Sequence, residues 1–192
     1  MTPTLADNNL YDFFEERVGQ ASASHDIQLT AETCRYLAVL LMRPETALNR
    51  SDPQTLAELH MAAATATRLQ ALRLYRVLGD RALYIAGYFG ESLESRPVSL
   101  DYYADMGGAA YRRVALLGHS GSQRDPWTEI FEELAQRFHD CLVLVSDVAD
   151  QNRAAGCRNL VELYDHWLRT RSPNAAQRLS ELGVLATEPA LG

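Results

Sequence analysis

The sequence predicts an all-α fold, a single-domain bundle of seven or eight helices. Three observations carry that expectation. Apolar residues recur at spacings of three and four along most of the 192 residues, the period of one helical face. No stretch of useful length alternates apolar and polar residues as a half-buried strand would. Capping residues stand ahead of several periodic runs, three of them followed by proline.

Taken in order, "NLYDFFEERVGQAS" sets Leu10, Phe13, Phe14 and Val18 on one stripe, with Asn8 or Asn9 as cap. "SASHDIQ" breaks the pattern. Thr30 caps a second helix carrying Tyr36, Leu37, Leu40 and Leu41, and Pro44 ends it or begins a turn. Ser51 or Asp52, with Pro53 at the first helical position, opens a third helix over roughly 53–78. Its core face is Leu56, Leu59, Ala63, Ala66, Leu69 and Leu72, and its small-sided middle admits a close neighbour. Gly79 reads as the residue that ends this helix, and Asp80 as the cap of a short buried one, "RALYIAGYFG". Gly87 inside that helix costs about 1 kcal/mol relative to alanine, which implies close backbone contact.

"ESLESRPVS" is a loop, and Ser99 caps "LDYYADMGGAAYRRVALLG". Asp125-Pro126 starts the helix with the cleanest signal. Its residues Trp127, Phe131, Leu134, Phe138, Cys141, Val145 and Val148 alternate by four and three, a heptad seam. Leu142, Val143 and Leu144 make it apolar nearly all round there. Glu129, Glu132, Glu133 and Asp140 form an acidic face, read as solvated. "NLVELYDHWLRTR" and "SPNAAQRLSELGVL" supply the last two helices, the latter stopping near Gly183. Residues 1–185 are expected as one helical domain with an internal boundary at 119–126, and 186–192 as a mobile tail.

Composition narrows the function classes. The formal charge is −7 and every basic residue is arginine, without the basic stripe of a nucleic-acid binder. The longest dense apolar run, "YLAVLLM" at 36–42, is too short to span a bilayer. The N-terminus has no signal-peptide pattern. Cys34, Cys141 and Cys157 are odd in number and far apart, so they read as packed or free thiols in a reducing cytoplasm.

Catalytic patterns are sparse. The residues three before the five histidines are Ser22, Ala57, Leu116, Gln136 and Leu163. None is acidic, against a ferritin-like Glu-x-x-His centre. H-E-x-x-H and the P-loop are missing. "GHSGS" at 118–122 lacks the glycine two residues after Ser120 and follows a helix, unlike a nucleophile elbow. His139-Asp140 is the one dyad that suggests a metal-dependent hydrolase, with His119, Asp147, Asp150 and His166 as recruits. No cofactor is expected.

The region of interest is richer. Six of the nine tyrosines, Tyr75, Tyr84, Tyr88, Tyr102, Tyr103 and Tyr111, fall within one stretch. Arg76, Asp80, Arg112 and Arg113 can partner their hydroxyls or anchor an anion. Arg76, Asp80, Tyr84, Tyr88, Tyr102, Tyr103 and Tyr111 are therefore the candidate lining of a pocket for a small aromatic or anionic molecule. The competing expectation is a tight core whose tyrosine hydroxyls reach the surface.

"LYRVLGDRALYIAGYF" followed by "YYADMGGAAY" is similar to a segment of a family of uncharacterised, all-helical bacterial proteins. The resemblance covers about Arg76 to Tyr111. It implies a bacterial cytoplasmic origin and no reaction, since the family has no established activity.

The leading expectation is a non-enzymatic regulatory or protein-interaction module. The seam suggests a homodimer. A small-molecule sensor using the Tyr/Arg region is the alternative, and a metal-dependent hydrolase the third. Partners are a second copy, another protein or that small ligand, with neither nucleic acid nor membrane.

Overall fold

The computed structural model describes residues 5–47, 54–90, 99–119, 126–157 and 160–184. Among them every regular element is helical and none is a strand. The helices are α1 (Leu5–Ser24), α2 (Ala31–Met42), the single turn α3 (Pro44–Ala47), α4 (Leu56–Thr65), α5 (Arg68–Tyr88) and α6 (Leu100–Gly118). They continue with α7 (Pro126–Gln136), α8 (Phe138–Gly156), α9 (Leu160–Thr170) and α10 (Pro173–Glu181). Among the described residues nine exceed one turn, against the seven or eight expected, because the seam helix is interrupted at Arg137. The chain's contacts divide into two compact units, Met1–Ser146 and Asp147–Gly192.

The helix starts follow their side chains. Thr30 Oγ1 accepts the Thr33 N–H at 3.3 Å, and Ser99 Oγ that of Tyr102 at 3.3 Å, as expected. The α4 start lies at Thr55, which forms a reciprocal capping box with Glu58. The expected caps Ser51 and Asp52, Pro53, Asp125, most of the 91–99 loop and the 186–192 tail lie outside the described residues. Because α1 already begins at Leu5, neither Asn8 nor Asn9 caps it.

The main correction concerns the joint at Gly79-Asp80. The chain breaks about three and a half helical turns of sequence earlier than that, at Ala66, whose ψ of 162° is extended. Thr67 then starts α5, its N–H and hydroxyl both donating to Gln70 Oε1. From there α5 runs unbroken through Gly79 and Asp80 to Tyr88. The break resets the helical phase, so Leu69 is 61% exposed and Ala71, Tyr75, Leu78 and Ala82 are buried instead. Gly79 serves packing rather than a turn, since a Cβ there would stand 2.5 Å from the Tyr111 ring.

In the Met1–Ser146 unit α5 and α6 run antiparallel, pairing Arg68 with Leu117, Gly79 with Tyr111 and Ala82 with Gly107. The start of α8 lies on Gly107, where a Cβ would meet the Phe138 ring at 2.3 Å. At Gly87 it would meet Val145 at 2.6 Å, the close approach its sequence position implied. Small residues thus let large rings and branched side chains in, and the interior is filled there.

The seam is consumed in this packing. Phe131, Leu134, Phe138, Cys141 and Val145 are buried within the chain, whereas Trp127 is 54% and Val143 40% exposed. The seam residues buried in this way offer no face to a second copy. The acidic face is also used internally. Glu133 accepts from the Thr30 N–H at 3.1 Å and hydroxyl at 2.6 Å, and Asp140 pairs with Arg137 at 2.7 Å. Glu132 lies 3.5 Å from His119.

In the Asp147–Gly192 unit, Ala154, Leu163, Trp167, Ala175 and Leu179 form a core. Ser172 and Pro173 start α10 as expected. Gly183, at φ +79°, ends it, with the Val184 N–H reaching Leu179 O at 2.9 Å.

Candidate functional site

The structure brings three of the seven candidate residues together and adds a fourth from α2. Asp80, buried mid-helix on α5, accepts two hydroxyls on Oδ1: Tyr36 at 2.5 Å and Tyr111 at 2.8 Å. Arg76, one turn earlier, sets Nε 3.7 Å from Asp80 Oδ2 and donates to Tyr36 Oη at 3.2 Å. Its guanidinium also lies 5.4 Å from the Tyr36 ring centroid. Phe131 packs on both tyrosine rings and Phe138 on Tyr111.

This hub has definite electrostatics. Burial pushes the Asp80 carboxyl above the usual aspartate range, opposed by the two tyrosine hydroxyls and by Arg76. Burial, then the Asp80 charge, drives the Tyr36 and Tyr111 hydroxyls well above theirs. Both tyrosines therefore stay protonated as donors.

The other candidates lie elsewhere. Tyr84 and Tyr88 stack at 5.1 Å, with Phe89 against both. Tyr102 is exposed and meets Tyr103 edge-on. Arg112 and Arg113 are exposed on α6 and take no part in the hub. Between Tyr84 and Tyr111, Gly87 admits the Val145 side chain and Gly107 the Phe138 ring, so that part of the stretch packs as core.

A cavity borders Arg76 as well. A cleft of about 180 Å³ opens between α5, α6 and α7. Leu72, Val114 and Phe131 make apolar walls, Arg73 and Arg76 supply two cations, and Trp127 stands on the rim. Thr128, only 2% exposed, also lines it, and its Oγ1 has no hydrogen-bond partner among the described residues. An unsatisfied buried hydroxyl costs about 1–3 kcal/mol, which a bound acceptor or donor would recover. Gly118 leaves the space that this hydroxyl occupies, since a Cβ there would stand 2.9 Å from it.

Tyr36, Arg73, Trp127 and Thr128 were not singled out as site residues by the sequence. Tyr36 sat in an apolar run and Trp127 in the seam, where core packing explained both. No spacing rule links position 36 to position 80.

A second polar cluster lies within the Asp147–Gly192 unit. His166 Nε2 is 3.0 Å from Asp150 Oδ1, and Asp150 Oδ2 accepts from Ser172 Oγ and, at 2.9 Å, from Asn174 Nδ2. Asn174 also reaches Asp147 at 2.7 Å. Ser172 is the α10 cap, accepting the Ala175 N–H at 3.0 Å. Its hydroxyl is therefore committed in both directions and is not an available nucleophile. In the Met1–Ser146 unit, His139 is exposed and Asp140 is bound to Arg137. Among the described residues no three His, Cys, Asp or Glu side chains are grouped to hold a metal ion, and no helix is long and apolar enough to cross a membrane.

The resemblance of the Arg76–Tyr111 segment rests on its own residues: no family model, no curated protein and no solved structure matches the chain.

Proposed function

We propose that the Met1–Ser146 unit is a non-enzymatic, small-molecule-binding regulatory module whose ligand sits in the α5/α6/α7 cleft. The observation that carries this reading is Thr128 Oγ1, buried and without a hydrogen-bond partner among the described residues, on the wall of a cleft that also holds two arginines and a tryptophan. Small-ligand sites combine apolar walls with a few convergent polar groups. Here the walls suit an apolar or aromatic body and the arginines an anionic head.

The test is a thermal-shift screen with benzoate, phenylacetate, indole-3-acetate and phenyl phosphate, followed by calorimetry. Binding that weakens at least tenfold in Thr128→Val or Arg73→Ala supports the reading. No stabilisation by any of the four sinks it.

A protein-interaction role is the second reading. Leu69, Leu116 and Trp127, 54–61% exposed, lie on the same three helices as the cleft. Sedimentation that gives a concentration-dependent dimer, lost in Leu116→Glu, would favour it over the ligand.

A further inference from the structure

We propose, resting on the ligand reading above, that the cleft takes a small aromatic carboxylate whose anionic head shares Arg76 with Asp80, and that its binding delivers one solvent proton to the Asp80 carboxyl. The Arg76 guanidinium faces two ways. Arg76 Nε faces inward, toward Tyr36 Oη and Asp80 Oδ2. Its terminal nitrogens make no hydrogen bond among the described residues, and the half-exposed side chain lines the cleft. An anion seated there meets those nitrogens without displacing Nε. Arg73, three residues earlier on α5, stands on the same helical face and completes a two-arginine clamp. Trp127 offers the ring a stacking surface, and Thr128 Oγ1 is a hydroxyl within the same wall.

One cation then serves two carboxylates. Arg76 is the positive group that holds the Asp80 charge, and a second anion beside it weakens that support. Asp80 is the buried member of the pair, so it is the one that takes the proton. Both tyrosine hydroxyls donate to Oδ1, which leaves Oδ2, the oxygen facing Arg76, as the protonation site.

The other groups around it do not compete. Tyr36 from α2 and Tyr111 from α6 remain protonated, and α7 and α8 present Phe131 and Phe138. Burial keeps the nearby Cys141 thiol protonated. Among the described residues, His119 and Glu132, paired across α6 and α7, are titratable groups near this end of the cleft.

The test is titration calorimetry of the full chain with indole-3-acetate and benzoate, in phosphate and in Tris at one pH. We expect buffer-dependent heats that report proton uptake. Affinity should fall as pH rises, by at most about tenfold per unit. Asp80→Asn should remove both effects. Infrared difference spectra of the wild-type chain provide a readout independent of that variant's folding: ligand should bring in the C=O stretch of a protonated carboxyl. Binding with equal heats in both buffers overturns the proposal, as does uptake that persists in Asp80→Asn. Absence of binding by either probe counts instead against the ligand reading itself.

Discussion

The ring of Tyr111 occupies the place where a side chain on Gly79 would begin, 2.5 Å from an ideal Cβ. Gly79→Ala should therefore destabilise the chain, although alanine favours a helix by about 1 kcal/mol. Overpacking typically costs about 1–3 kcal/mol, and the obstacle here is a ring fixed by Asp80, Phe131 and Phe138. Gly19→Ala is the control, because nothing lies within 4 Å of its Cβ position on α1. Urea denaturation should lower the midpoint for the first and raise it slightly for the second.

Asp80 makes stability depend on pH in a stated direction. Its carboxyl binds a proton more tightly in the folded chain than in the unfolded one. Its contribution is therefore fully present below the ordinary aspartate range and is lost as pH rises through the higher, folded value. Asp80→Asn keeps an acceptor for both tyrosines and should flatten this part of the stability profile. Asp80→Leu strands two buried hydroxyls, and should cost about 1–3 kcal/mol for each. Chemical denaturation across a pH series distinguishes the two variants.

Thr128→Val should separate stability from binding. Valine has nearly the same shape and removes the unpartnered hydroxyl, so the apo protein should gain about 1 kcal/mol. Ligand affinity should fall in the same variant. A loss of apo stability would mean that the hydroxyl already has a partner in solution.

Asp150→Ala should loosen the Asp147–Gly192 unit selectively. It removes the acceptor shared by His166, Ser172 and Asn174, and with it the restraint on the α10 cap. Breaking such a buried cluster costs about 3–5 kcal/mol. Hydrogen exchange should quicken in α9 and α10, while protection around Tyr111 persists.

Local chemistry was legible in the sequence where a side chain acts on its own helix. Thr30, Ser99 and Ser172 cap as their positions imply. Gly87 marked a close contact, and Gly183 a helix end. What the sequence concealed was tertiary. Gly79-Asp80 has the local chemistry of a joint, yet a ring from α6 needs the glycine and two hydroxyls need the aspartate, so the helix continues. The break lies instead at Ala66, where Thr67 and Gln70 offer a stronger start. The heptad period was real, but the same period serves an intramolecular groove or a second chain, and spacing alone does not choose between them. Of the site, Arg76, Asp80 and Tyr111 were readable because they crowd one segment. Tyr36 and Thr128 were not, because their roles exist only once distant helices meet.

Two of the three free cysteines, Cys141 and Cys157, give each unit its own clock. Cys141 is fully enclosed in the first unit, whereas Cys157 borders an open groove of the second. A thiol-reactive dye should label Cys157 within seconds to minutes and reach Cys141 only when the first unit opens. Mass spectrometry of partly labelled chains would then time the breathing of each half in one sample, with no engineered reporter.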